Sequence, residues 1–146
     1  MKFTLRTNVA QSLENVKEGF NEDLFSQLAP PFPKVNIKQF DGSKKGDIVS
    51  LELNFIIFRQ NWTSKIVDEG SSDTEYFFID EGTILPFGIT FWRHKHTLQS
   101  INEKTQIIDE VEFRSWNGLA SLLLFPILLS QFFYRKPIYK RIFGQN

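Results

Sequence analysis

The sequence contains no cysteine, which excludes both a disulfide framework and thiol chemistry. It also lacks net charge, because 17 basic residues balance 17 acidic ones. Phosphate binding needs a clustered positive excess, so nucleic acid is not expected as a partner. Residues 1–6 lack the apolar core of a signal peptide. These absences predict a cytoplasmic protein with a single domain over residues 1–146.

Long hydrophobic runs are also absent, with one exception from Leu119 to Tyr134. This run is too long for a strand and shorter than the roughly 20 residues that a membrane helix needs. It therefore predicts a helix that is buried or faces a cavity, without stable membrane insertion. Pro126 predicts a kink in that helix or the start of its regular part.

Four cations follow this run and alternate with apolar residues. They suit the negative C-terminal end of a helix, and contact with an acidic lipid surface is the alternative. The cations are Arg135, Lys136, Lys140 and Arg141.

Aromatic residues are abundant, at 15% of the chain with 16 phenylalanines. Side chains of this size must be buried somewhere. Composition alone leaves two possibilities open, a densely packed core or a cavity for an apolar ligand.

The order of predicted elements begins with a strand over residues 2–9, which alternates apolar and polar side chains. Ser12 can cap a first helix, and a second starts at Asn21 and must stop at Pro30. Short polar turns then separate six further strands, which favours an antiparallel meander because parallel strands need long crossovers. The six strands are predicted at about 34–40, 47–57, 60–69, 73–81, 89–100 and 104–114.

The most informative pattern is an alternation on the last two strands, where ionisable side chains are interleaved with large apolar ones. Side chains two apart on a strand point the same way, so the ionisable groups are predicted to project among apolar neighbours. Such an interior is typical of a ligand cavity. The shared faces are Trp92, His94, His96 and Leu98 on one strand and Ile107, Asp109, Val111 and Phe113 on the next.

The turn between these two strands predicts their register. A turn centred on Asn102 and Glu103 pairs residues whose numbers sum to 205, which places His96 opposite Asp109. Directly opposite residues have Cβ atoms about 4.5–5.5 Å apart, so a hydrogen bond between the two is expected. A shift of one residue would place them on opposite faces.

Four segments of the sequence are similar to a pattern found in a known protein family. The element order and these segments resemble the START-like helix-grip proteins of the SRPBCC superfamily, in their bacterial ligand-binding and polyketide-cyclase-like branch. The segment 62–66 and the stretch 132–135 resemble further parts of that family, whereas the loops 85–88 and 116–117 depart from it. The four segments are Phe78-Ile79-Asp80, Pro86-Phe87, residues 92–98 and residues 105–113.

This resemblance implies an α+β fold in which a curved antiparallel seven-stranded sheet wraps around a long C-terminal helix, with two short helices between strands 1 and 2. It also implies an internal cavity for a lipid, sterol, polyketide or other small apolar molecule, with no cofactor. The residues expected to line the cavity are Trp62, Phe78, Asp80, Trp92, His94, His96, Leu98, Asp109, Val111, Phe113, Leu123, Ile127 and Phe133.

Three alternatives to simple binding remain open at this stage. His96 polarised by Asp109 could act as a general base in the cyclisation or dehydration of a polyketide-like substrate. Binding is favoured over catalysis because no oxyanion hole is evident. His94, His96 and Asp109 could hold an iron-like metal ion, although no third histidine exists, so no metal is expected. A packed interior would instead leave an interaction protein without a ligand.

Overall fold

The computed structural model describes residues 1–145, and seven strands and four helices account for most of them. Their bounds agree with the predicted strands to within a few residues. The elements are β1 (Lys2–Val9), α1 (Leu13–Gly19), α2 (Glu22–Leu28), β2 (Lys34–Phe40), β3 (Ile48–Asn54), β4 (Arg59–Ser71), β5 (Glu75–Ile84), β6 (Ile89–Ile101), β7 (Lys104–Ser115), α3 (Gly118–Phe133) and α4 (Arg135–Phe143).

All seven strands form one sheet in the order β1-β7-β6-β5-β4-β3-β2, and every neighbouring pair is antiparallel. Six strands follow one another as a meander, and β1 adds to the far edge beside β7. The helices α3 and α4 follow one another with only Tyr134 between them and contact β1 and β7. This α+β arrangement confirms the predicted helix-grip fold.

Three helix starts are fixed by side-chain caps, and two of these starts were predicted from the sequence. Ser12 accepts a hydrogen bond from the backbone of Asn15, and Asn21 accepts one from Leu24. Asn117 caps α3 in the same way through the backbone N–H of Ala120, at 2.7 Å. Each cap satisfies a backbone donor that the first helical turn leaves free.

The β6–β7 hairpin has the predicted register, with His96 opposite Asp109. Its turn residues Asn102 and Glu103 both have positive φ, as a two-residue hairpin turn requires. The register places the inward side chains of both strands against the helices.

The helices cover the sheet through two clusters of buried side chains. Near the C-terminus, Ile138, Tyr139 and Phe143 pack against Leu98 and Ile107 of the last two strands. The second cluster joins β1, β6 and β7 to α3 and includes Phe3, Trp92, Val111, Phe113, Leu128 and Phe132. Because α4 is anchored in the core, the C-terminal segment is tied to the sheet.

The expectation that the apolar run 119–134 is buried or faces a cavity holds for one side of the helix only. Leu128 and Phe132 are buried against the sheet, whereas several apolar residues on the other side of α3 are exposed. One sheet face covers only one side of a helix, and no described element covers the other. The helical stretch from Gly118 to Phe143 is long and apolar enough, by length and composition, to cross a bilayer.

Candidate functional site

A cavity of about 290 Å³ lies between the sheet, the short helices and the C-terminal helices. Its wall is mostly apolar, with Leu51, Leu53 and Ile66 from the sheet and Leu124 and Leu128 from α3. Concave, mainly apolar sites with a few placed polar groups are typical of small-molecule binding. The polar wall residues are Asn21, Ser43, Ser64, Asp80, His94, His96, Gln131, Arg135 and Tyr139.

A chain of hydrogen-bonded side chains crosses β5, β6 and β7 along this wall. The indole N–H of Trp92 donates to Oδ1 of Asp80 at 3.1 Å, and Nδ1 of His94 lies 2.9 Å from Oδ2 of the same carboxylate. Nε2 of His94 and Nδ1 of His96 each lie 2.9 Å from Oδ1 of Asp109. Asp109 therefore bridges the two histidines, and His94 bridges the two aspartates.

His94 is charged at neutral pH. Burial alone would lower the pKa of its imidazole, but the carboxylates of Asp80 and Asp109 outweigh this effect and raise the pKa to about 9. Both ring nitrogens then donate, one to each carboxylate. Hydrogen bonds between charged groups are the stronger kind, so His94 forms a rigid link between β5 and β7.

His96 is neutral at the same pH. Burial lowers the pKa of its imidazole, and the Asp109 carboxylate offsets this only in part. Burial would raise the pKa of Asp109, but hydrogen bonds from His94 and His96 hold it well below its usual range. Asp109 is thus an acceptor only, so Nδ1 of His96 carries the proton and Nε2 keeps a free lone pair.

Two cavity-lining residues each have a buried polar atom without a hydrogen-bond partner within residues 1–145. These atoms are Nε2 of His96 and the hydroxyl of Tyr139. Burial raises the pKa of the Tyr139 phenol, so this hydroxyl keeps its proton, although the Arg135 guanidinium acts in the opposite direction. One acceptor and one donor are therefore left unsatisfied beside the cavity, and buried polar groups are costly in that state.

Aromatic rings hold the His96 imidazole in place. The ring of Phe20 lies 4.5 Å from it and that of Phe78 lies 5.0 Å away, centroid to centroid. Phe132 meets His94 edge-on at 5.2 Å. These contacts fix the direction of the free Nε2 lone pair on His96.

The metal alternative meets an obstacle in these hydrogen bonds. His94, His96 and Asp109 offer ligand atoms that lie within 4.8 Å of one another. However, both nitrogens of His94 already bond carboxylates, and a protonated imidazole has no lone pair for a metal. An ion here would have to displace protons from the buried chain. His96 Nε2 is the one imidazole nitrogen of this group that is free to bind.

The structure places part of the predicted cavity set on the cavity wall. The sheet residues among them come from β4, β5 and β6, and one comes from α3. They are Trp62, Phe78, Asp80, Trp92, His94, His96 and Ile127.

Six residues of the predicted set lie elsewhere. Leu98, Asp109, Val111 and Phe113 are buried, but the helices and neighbouring side chains cover them, so they do not line the cavity. Leu123 and Phe133 are exposed on the outer side of α3. The helical repeat explains this, because the side facing the sheet is set by Leu124, Leu128 and Phe132, each four residues apart.

The sequence analysis missed several wall residues on the helices. Arg135 and Tyr139 follow Phe132 by three and seven residues, a spacing that places all three on one helical side. That spacing could have identified Tyr139. Phe20, next to His96, was not predicted to line the cavity, since nothing in a single sequence shows which strand a short helix covers.

Comparisons with known proteins find similarity in structure only. No family model and no curated protein matches the chain in sequence. Among solved structures, the Zhui aromatase/cyclase from Streptomyces sp. R1128 matches with a TM-score of 0.70 and 14% identity, covering 94% of this chain and 89% of that chain. Truncated norcoclaurine synthase from Thalictrum flavum has a TM-score of 0.66 and 13% identity, covering 100% and 95%.

A third similar structure is the ginseng major latex-like protein 151 from Panax ginseng. It has a TM-score of 0.59 and 13% identity, and the match covers 94% of this chain and 95% of that chain. Full-length coverage at such low identity shows a shared fold. The chain therefore has a helix-grip fold.

Proposed function

We propose that this protein binds a small apolar or amphipathic molecule, such as a lipid, sterol or polyketide-like compound, in the cavity between the sheet and the C-terminal helices. The observation that carries the proposal is the apolar cavity of about 290 Å³, which is lined by two residues with unsatisfied polar atoms. A cavity of this size means that the protein interior is not fully packed. This argues against the alternative of a packed interaction protein without a ligand. The cytoplasmic location predicted from the sequence stays a prediction.

The two free polar atoms suggest what the ligand carries at its polar end. Nε2 of His96 accepts a hydrogen bond, and the protonated hydroxyl of Tyr139 donates one. A hydroxyl group can satisfy both at once, because it is both donor and acceptor. We therefore expect an apolar ligand with a hydroxyl or phenol at the end next to His96.

A substitution that fills the cavity tests the proposal. Val49 lines the cavity from β3, so Val49→Trp should abolish binding by occupying the space. Ile48 is the adjacent residue on the opposite face of the strand, and Ile48→Trp is the matched control. Binding is measured as the thermal shift with fatty acids, sterols and aromatic polyketides.

We expect wild type and Ile48→Trp to be stabilised by the same compounds, and Val49→Trp to give no shift with any of them. Equal shifts in all three proteins would place the ligand outside the cavity and contradict the proposal. A folded Val49→Trp protein is recognised by an unchanged circular dichroism spectrum.

A second candidate function is general-base catalysis, as in a polyketide cyclase or dehydratase. The observation in its favour is the neutral His96, which lines the cavity and whose Nδ1–H donates to Asp109 while its Nε2 has no partner. A base held in one tautomer by a carboxylate is a common catalytic arrangement. In this arrangement Nε2 would remove a proton from a carbon next to a carbonyl, and the Tyr139 hydroxyl would donate a hydrogen bond to the carbonyl oxygen.

Proton abstraction can be tested without knowing the natural substrate. We expect the wild-type protein to speed deuterium exchange at the α-carbon of aromatic ketones in D₂O by at least about 100-fold over buffer, the size typical of a positioned base. His96→Gln should lose this exchange, and an unchanged circular dichroism spectrum would show that the variant is folded. Exchange by His96→Gln at the wild-type rate, or none by the wild type, would remove catalysis from consideration.

A further inference from the structure

The topology gathers four loops at one end of the sheet. Antiparallel pairing places the α2–β2 link, the β3–β4 loop, the β5–β6 loop and the β7–α3 link together, and the remaining turns at the other end. Ring contacts of 4.9–6.2 Å among Phe32, Phe55, Phe58 and Phe87 join the first three of these loops. Phe55 and Phe87 also line the cavity, and we call this end of the sheet the mouth end.

The mouth end exposes large apolar side chains. Ile56 and Ile57 at the tip of the β3–β4 loop are 86% and 87% exposed, and Trp116 before α3 is 70% exposed. The outer side of α3 continues this surface with Leu119, Leu122 and Leu123. Contiguous exposed apolar surface of this kind usually marks a binding face.

The backbone of the β3–β4 loop is strained in a way that keeps this tip exposed. Ile56 has a φ of 76°, a left-handed conformation that β-branched residues avoid. Hydrogen bonds from Ile56 N to Asn54 Oδ1 and from Phe55 N to Phe58 O, both 2.9 Å, hold the turn. Glycine or asparagine would fit this position better. Such strain is typical of functional segments.

Charge follows a consistent pattern around the mouth end. The stretches 29–33, 53–58, 82–92 and 115–134 contain no charged residue. At the C-terminal border of each stands a cation, and a fifth precedes the last stretch. These cations are Lys34, Arg59, Arg93, Arg135 and Arg114, of which Arg135 is the first residue of α4 and lines the cavity.

The acidic residues that border these stretches are already paired. Glu52 lies 3.6 Å from Arg59, and Glu81 lies 2.6 Å from Arg93. Lys34 and Arg114 form no ion pair within residues 1–145. An uncharged apolar face inside a cationic border suits the apolar and anionic layers of a lipid surface. Two copies of this chain would instead bring like charges together.

We propose that the mouth end docks on the surface of an anionic lipid bilayer, with Ile56, Ile57 and Trp116 inserted among the acyl chains and the bordering cations near the headgroups. The outer side of α3 lies on the same surface, and α4 stays anchored in the core. This docking does not require the cavity to hold a ligand.

Vesicle sedimentation tests this proposal with a matched pair of variants. Wild-type protein should sediment with phosphatidylcholine vesicles that contain phosphatidylglycerol, more weakly at high salt, and little with pure phosphatidylcholine. Ile56→Gly/Ile57→Ser should weaken binding about tenfold or more, because two large apolar side chains are lost from the contact. Ile101 is an exposed isoleucine in the hairpin at the other end, so Ile101→Ser should bind as wild type does.

Two further readouts keep the test decisive. The emission of Trp116 should shift to the blue with anionic vesicles, and Trp116→Phe should remove that shift, since Trp62 and Trp92 belong to the cavity wall. Ile56→Gly/Ile57→Ser should unfold at the same temperature as wild type or higher, because glycine relieves the strain at Ile56.

Several results would overturn the proposal. These are no sedimentation with either vesicle, equal binding of the neutral and anionic vesicles, or full binding by Ile56→Gly/Ile57→Ser. A stable dimer that Leu122→Ser/Leu123→Ser dissociates, without vesicle binding, would make this face a self-association surface and would also overturn it.

Discussion

Replacing Asp109 by alanine is expected to lower the free energy of unfolding at pH 7 by about 3–5 kcal/mol. The Asp109 carboxylate is buried and accepts hydrogen bonds from both His94 and His96. Without it, the His94 imidazolium loses one of its two counter-charges and Nδ1–H of His96 loses its acceptor. Both groups are too deeply buried for water to compensate fully. The measurement is denaturant unfolding at pH 7.

Glu110, the next residue on β7, provides the control. It is exposed on the opposite side of the strand, and Glu110→Ala should change the free energy of unfolding by less than about 0.5 kcal/mol. Asp109→Asn keeps the size of the side chain and one acceptor oxygen, so it should fall between the two. A loss below about 1 kcal/mol for Asp109→Ala would contradict the described hydrogen-bond chain.

The free energy of unfolding is expected to fall by about 3 kcal/mol as the pH rises from 6.5 to above 9. His94 has a pKa of about 9 in the folded protein, against 6.5 as its ordinary value. The folded state therefore binds this proton more tightly than the unfolded state. The resulting stabilisation is fully present below pH 6.5 and is lost as the pH rises through about 9.

The acidic side of the stability curve has the opposite slope. The pKa of His96 is lowered in the folded protein, so the unfolded state takes up this proton first as the pH falls below 6.5. The lowered pKa of Asp109 acts in the same direction at still lower pH. Stability should therefore be greatest near pH 6.5.

His94→Gln isolates the alkaline slope. Glutamine cannot become charged, so this variant should be less stable than wild type at pH 6.5 and should lose most of the decline between pH 6.5 and 9. Denaturant unfolding of wild type and of His94→Gln between pH 6.5 and 9 measures how steeply the stability of each protein declines. A wild-type curve that stays flat above pH 6.5, or an unchanged slope in His94→Gln, would show that His94 is not held as an imidazolium between Asp80 and Asp109.

The strands and their register could be predicted from the sequence because local rules govern them. Turn residues separate the runs, and the two-residue turn at Asn102 and Glu103 leaves only one pairing for β6 and β7. That pairing placed His96 opposite Asp109. The caps Ser12 and Asn21 were readable for the same reason, since they act within one helical turn.

The site could be predicted only in part because its other half depends on contacts between distant segments. The bond from His94 to Asp80 follows from the β5–β6 register, which was not worked out from the loop 85–88. Which side of α3 faces the sheet depends on how the helix packs there. An almost wholly apolar helix has no polar side that would identify its solvent-facing side from the sequence. Leu123 and Phe133 were misplaced for this reason, and Tyr139 was missed.

Native mass spectrometry of freshly purified protein, beside its denatured mass, tests the central claim most directly. A cavity that binds an apolar molecule predicts a reproducible extra organic mass on the native wild-type protein, which is absent from Val49→Trp and from the denatured chain. The identity of that mass would name the ligand class. No retained mass, together with no thermal shift from fatty acids, sterols or aromatic polyketides, would contradict the proposed ligand-binding function.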